Sequence, residues 1–185
     1  MTHVQKHLNQ PSGLTHAQLY STTSQIIIGG SETTSTILSA TLYLLLSHPS
    51  TLSTLQQELR ALFPSSSSIN IQNINRLTAE GELKYLHAVI QEGMRLYAPT
   101  PGNLTRVTPT EGIQVGEKWF VPGDTLVGVN LHAAARYEHN FHDAAAFIPE
   151  RWLSNPPSAH IHDKLKAIQP VRPSSFSFSF SIANA

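Results

Sequence analysis

Glu92-Gly93-Met94-Arg95 lies inside a strongly helical stretch, and a second Glu-Arg element, Pro149-Glu150-Arg151-Trp152, follows an irregular segment downstream. Residues three apart share a helix face, so Glu92 and Arg95 by themselves make a modest pair, stabilising by about 0.2–0.5 kcal/mol. The helix is expected over 82–98, with Leu83, Leu86, Ile90, Met94 and Tyr97 on one stripe and Pro99 and Pro101 ending it. Glu92 and Arg95 fall off that stripe, and periodicity alone turns them to solvent.

Upstream, Thr15-His16-Ala17-Gln18 has the hydroxyl and Gln of a capping box and follows the loop-forming Pro11-Ser12-Gly13. It predicts a long helix over 14–47. Ile26, Ile27, Ile28, Ile37, Leu38, Leu42, Leu44, Leu45 and Leu46 cover most of its circumference, a pattern that calls for burial on all sides and a larger body than this chain offers. Within it, Gly29-Gly30-Ser31-Glu32-Thr33-Thr34 carries two glycines that each cost about 0.5–1 kcal/mol against Ala. Either the helix opens there against a flat ligand, with an acid and a hydroxyl placed to pass protons, or small residues allow close packing and the hydroxyls bond back to carbonyls a turn earlier. His48-Pro49 breaks the helix and admits a second over 49–63, marked by Leu52, Leu55, Leu59 and Leu62, before a serine linker at 65–68.

From Gly102 the period changes. Short strands are expected at Ile113 to Val115, Trp119 to Val121 and Thr125 to Leu131, within a strand region at 102–131, followed by an irregular segment at 132–153. The end, 171–185, contains an alternating Ser-Phe run unlike the rest. The expectation is a mainly α chain with a small β-sheet, an α+β arrangement.

Composition narrows the function classes. The 185 residues hold 12 basic and 12 acidic side chains, so nucleic acid has no electrostatic case as a partner. There is no cysteine, which removes disulfides, thiolate metal sites and a cysteine nucleophile. No secretory signal or membrane span is read from the sequence. His139-x-x-His142 and His160-x-His162-Asp163 have the residue types of zinc ligands, but no third and fourth ligand follows at a fixed spacing, so solvated loop histidines and no metal site are expected.

The ordered set Gly-Gly-x-Glu-Thr-Thr, Glu-x-x-Arg and Pro-Glu-Arg-Trp resembles the haem-thiolate monooxygenases of the cytochrome P-450 superfamily, with a fungal-like Trp in the last motif. The similarity covers most of residues 20 to 170 and makes 1–170 a partial haem-monooxygenase domain. The resemblance implies that Glu32 and Thr33 match an acid-alcohol pair relaying protons to iron-bound dioxygen, and that Gly29 and Gly30 leave room for oxygen. Arg106 matches a cation near a haem propionate. Glu92, Arg95 and Arg151 match a buried triad that fixes the fold. It also implies haem, a small organic substrate, dioxygen and a reductase; full-length members are often anchored in the endoplasmic reticulum.

The departures are equally definite. The family's cysteine loop and the helix after it do not appear; Val171-Arg172-Pro173-Ser174 and the Ser-Phe run stand in their place, which suggests a reading-frame change near Pro170. The family's N-terminal helices are also missing from the match. The chain as given is therefore expected to be inactive and to bind no haem, with a non-catalytic helical interaction module as the alternative, and to aggregate unless a hydrophobic partner covers its central helix.

Overall fold

The computed structural model describes residues 15–168. Residues 1–14, the 171–185 tail and the suggested reading-frame change near Pro170 lie outside the described residues. Helix α1 runs His16–Ser47 and starts as its capping box dictates: Gln18 N donates to Thr15 Oγ1 at 3.3 Å and Thr15 N to Gln18 Oε1 at 2.9 Å. At 1.5 Å per residue it is about 48 Å long. Only Leu44 and Leu45, near its C-terminus, are buried, while Ile26, Ile27 and Ile28 stay 69%, 62% and 66% exposed. The apolar circumference read from the sequence thus has no cover over most of its length among the described residues.

His48 ends α1, its Nδ1 bonded to Leu44 O at 2.7 Å, and Pro49 opens α2, Pro49–Leu62. The serine linker closes into a 3-10 turn, and a helix the sequence pattern did not predict follows, α3, Ile71–Ala79. Its apolar stripe, Ile71, Ile74 and Leu77, is too short to stand out. The signal for it is local: Asn70 Oδ1 accepts from Asn73 N at 2.9 Å, capping the first turn.

Helix α4, Lys84–Leu96, departs most from its expected orientation. The face it buries carries Tyr85, Ala88, Val89, Glu92, Gly93, Arg95 and Leu96, whereas Ile90 and Tyr97 of the expected stripe are exposed. Tyr85, Val89 and Leu96 join Leu44, Leu45, Leu55 and Phe147 in the main core. Leu83, which is buried, Leu86, which also packs on this core, and Ile90 line an open groove with Trp152 and Leu153. No side chain of its own caps α4. Glu58 of α2 does so, accepting the amides of Tyr85 at 2.7 Å and Leu86 at 2.9 Å, where a carboxylate also meets the positive end of the helix dipole.

The β region is two separate antiparallel ribbons. β1, Asn103–Val107, pairs with β4, Leu126–Asn130, placing Arg106 opposite Val127; β2, Ile113–Val115, pairs with β3, Trp119–Val121. β1 falls inside the expected 102–131 strand region but was not placed individually, because Asn103, Thr105 and Arg106 mask its alternation. Thr108 ties the ribbons together, donating to Pro122 O at 2.7 Å and accepting from Thr125 N at 3.0 Å. The last expected strand stops at Asn130, whose side chain caps the short helix α5, Leu131–Ala135. An irregular stretch then leads to a 3-10 turn at Pro149–Trp152. No helix among the described residues is long and apolar enough to cross a membrane.

Gly93 is where α4 meets α1. A Cβ there would lie 2.6 Å from Thr41 Oγ1, a buried hydroxyl without a hydrogen-bond partner. Gly93→Ala is expected to destabilise by about 1–3 kcal/mol through overpacking, outweighing the helix-propensity gain of about 1 kcal/mol. In a Thr41→Ala background the same change is expected to be neutral or stabilising. Chemical denaturation of the four variants measures this, and an equal loss in both backgrounds would contradict the contact.

Candidate functional site

Three segments converge on the Glu92 carboxylate: α4, the irregular stretch after α5, and the Pro149–Trp152 turn. Oε1 accepts from Arg95 Nη2 at 2.8 Å, Arg151 Nε at 3.1 Å and Ile148 N at 3.0 Å; Oε2 accepts from Arg95 Nε and Trp152 Nε1, both at 2.8 Å. Both ion pairs are fully buried. Isolated charges there would be prohibitively costly, and the bonds offset that cost because nearly every polar atom has a partner.

Arg95 spends its remaining N–H groups on backbone carbonyls. Its Nη1 donates to Ala135 O at 2.7 Å and Ala144 O at 2.6 Å, and its Nη2 to Ala146 O at 2.9 Å. With the two bonds to Glu92, all five guanidinium donors are used. The irregular stretch therefore needs no regular ladder, since Arg95 satisfies carbonyls that a helix or sheet would otherwise occupy. Arg151 does the same on the other side, donating from Nη1 to His142 O at 3.1 Å and pairing with Asp163. Between the two guanidiniums lies the buried ring of Phe141, 5.0 Å from Arg95 Cζ and 5.9 Å from Arg151 Cζ. Glu92 and Arg95, which periodicity turned to solvent, are thus buried at the centre of this half of the molecule.

Several members were not read from sequence as part of this network. Asp163 supplies the second carboxylate, so two negative groups meet two guanidiniums, and it also accepts the His142 amide at 2.7 Å. His160, expected to be a solvated loop residue, is buried, its Nδ1 3.3 Å from Arg151 Nη1 and 3.4 Å from Asp163 Oδ2. His132, His139, His142 and His162 are exposed. Trp152 could have been anticipated, because a partly buried indole N–H needs an acceptor. Tyr85 Oη donates to Glu150 Oε1 at 2.6 Å, linking α4 to the turn a second time. Burial, and then the Glu150 carboxylate, push the Tyr85 pKa up from 10.0 to about 12.

The other expected site residues lie elsewhere. Gly29, Gly30, Glu32 and Thr33 sit on the uncovered part of α1, where a Cβ at either glycine would meet nothing within 4 Å. The helix does not open there. Thr33 Oγ1 donates to Gly29 O at 2.6 Å, the back-bonding alternative of the two readings, and Glu32 is exposed. The second element of that alternative, close packing against the glycines, is absent among the described residues. Arg106 is exposed on β1 and donates to Thr105 O at 2.8 Å. Only the Glu92, Arg95 and Arg151 set is brought together.

A family model described as Cytochrome P450 matches residues 1–172. Among curated proteins, the chain is 42% identical over 163 residues to Cytochrome P450 monooxygenase alt3 of Alternaria solani, covering 88% of this chain and 31% of that protein. It is 38% identical over 157 residues to averantin hydroxylase of Aspergillus parasiticus, covering 85% and 30%. A crystal structure of a cytochrome P450 (CYP102L1) superposes with a TM-score of 0.64 at 26% identity, covering 77% of this chain and 31% of that one. The chain spans about a third of the length of the curated relatives it matches.

Two measurements probe the network. Glu92→Gln keeps the volume but leaves two buried guanidiniums facing a neutral amide, and is expected to cost about 3–5 kcal/mol in urea unfolding; a loss below about 1 kcal/mol would be that of a surface pair. Tyr85→Phe removes a hydrogen bond to a carboxylate worth about 1.5–3 kcal/mol. Because folding raises this pKa, the contribution is complete below about pH 10 and lost as pH climbs towards 12, so the gap between wild type and Tyr85→Phe is expected to shrink over that interval. A gap that stays constant throughout would contradict the assignment.

Proposed function

The chain belongs to the cytochrome P450 family, and on that premise we propose that its 185 residues are scaffold for haem-dependent monooxygenation, the insertion of one atom of dioxygen into a small organic substrate with electrons from a reductase. The observation that carries the reading is the Glu92 carboxylate held between Arg95 and Arg151, which docks the irregular stretch on α4. On this reading Glu32 and Thr33 fill the acid-alcohol positions, Gly29 and Gly30 leave the adjacent helix surface bare, and Arg106 is the cation reserved for a propionate.

The residues present do not fit a haem-thiolate centre by themselves. No cysteine exists among the 185, and the Arg106 guanidinium is turned to its own strand. The chain alone is accordingly not catalytically competent. A second reading, a non-catalytic helical module, is favoured by the uncovered apolar surface of α1, where Ile26, Ile27, Ile28, Leu38 and Leu42 invite a hydrophobic partner or self-association.

The test is a chimera in which residues 15–168 replace the matching segment of the Alternaria solani relative. Reduced and exposed to carbon monoxide, the chimera is expected to give a thiolate-type Soret band, and the isolated 185-residue chain supplied with haem is expected to give none. A chimera that folds without the band would overturn the scaffold reading, and a thiolate-type band from the isolated chain would overturn its incompetence.

A further inference from the structure

The fold joins two histidine pairs that sequence spacing kept apart. His142 and His160 lie 18 positions apart in the chain, yet their rings meet edge to face with centroids 5.3 Å apart. Asp143 stands beside them, its Oδ2 3.1 Å from His142 Nδ1. One ligand atom from each of His142, Asp143 and His160 falls within 4.8 Å of the others. We propose that these three side chains bind a divalent transition-metal cation of the zinc class, with water in the fourth position.

Donor chemistry and geometry both favour this. Two imidazoles and a carboxylate are the ligand types zinc accepts, and bonds of about 2.0–2.2 Å in a tetrahedron set ligand atoms about 3.3–3.5 Å apart. The His142 and Asp143 pair is already near that separation, and both side chains are exposed, so rotation about their side-chain bonds closes the rest. His160 is the fixed ligand, buried and held from behind.

The surroundings of His160 supply the second argument. Its Nδ1 lies 3.4 Å from Asp163 Oδ2. That carboxylate helps hold the buried ring in one orientation. Asp163 also accepts the His142 backbone amide at 2.7 Å, so one carboxylate holds the two ligand-bearing segments together. Arg151 Nη1 donates to the same Nδ1 at 3.3 Å and fixes the ring from a second side. Asp143 and Asp163 outnumber that guanidinium, leaving the locality net negative towards an incoming cation. The site is independent of haem and of the family's oxidative chemistry.

Untagged, chelator-stripped 185-residue chain is titrated with zinc chloride by calorimetry and with cobalt chloride by visible absorption. One saturable equivalent is expected, with tetrahedral-type cobalt bands. His142→Ala and Asp143→Asn, both at exposed positions, are expected to weaken binding more than about tenfold, since losing even an outer partner typically costs 10–100-fold. His139→Ala is expected to bind as wild type does. Circular dichroism checks that each variant stays folded. Absence of saturable binding in the wild type, or wild-type affinity in His142→Ala and Asp143→Asn, would overturn the site.

Discussion

A single carboxylate with five donors organises this chain. Glu92 faces Arg95 on its own helix and Arg151, Trp152 and the Ile148 amide from a turn more than 50 residues later. Its environment is almost water-free, where the attraction between opposite charges is strong but an unpaired charge is very costly. That asymmetry makes the arrangement specific. Hydrophobic burial tolerates many registers of the irregular stretch, whereas two planar guanidiniums with fixed donor directions tolerate very few. Arg95 extends this constraint through the carbonyls of Ala135, Ala144 and Ala146, and Arg151 through Asp163.

The legible parts of the fold were those with a local chemical cause. Thr15 and Gln18 mark the start of α1, and His48-Pro49 marks its end, because capping and proline geometry act over a few residues. Helix α3 escaped although Ile71, Ile74 and Leu77 make a stripe, because that stripe spans only nine residues directly after a serine linker read as loop. Strand β1 escaped because its identity comes from pairing with β4. The small β-sheet expected from the change of period after Gly102 resolves into two ribbons, as strand spacing alone does not say which strands pair.

Periodicity misdirected the reading of α4 for an instructive reason. The sequence offers two stripes, one apolar through Leu86 and Ile90 and one mixed through Tyr85, Glu92 and Arg95. A hydrophobic pattern always selects the first. The protein buries the second fully, since Glu92 and Arg95 bring their own partners, and the apolar stripe is split, with Leu83 buried, Leu86 half-buried on the core and Ile90 exposed in the groove beside Trp152 and Leu153. Only the ordered motifs, which single out Arg151 together with Glu92 and Arg95, carried information from beyond the helix. The same limit applied to His142 and His160, whose proximity depends on how Asp163 folds the chain back.

The way Glu58 caps α4 bears on the order in which this structure assembles. Glu58 and Tyr85 are 27 residues apart, Glu92 and Arg151 59. Closing the longer loop costs only about 0.7 kcal/mol more in chain entropy, so distance along the chain does not separate the two events. Desolvation does. The Glu58 cap forms at a partly buried edge and gains from its first hydrogen bond, while the Glu92 cluster is unfavourable until most of its donors arrive together. The helical half can therefore form stepwise, and the segment from Ala135 to Asp163 docks cooperatively, as a latch rather than a zipper.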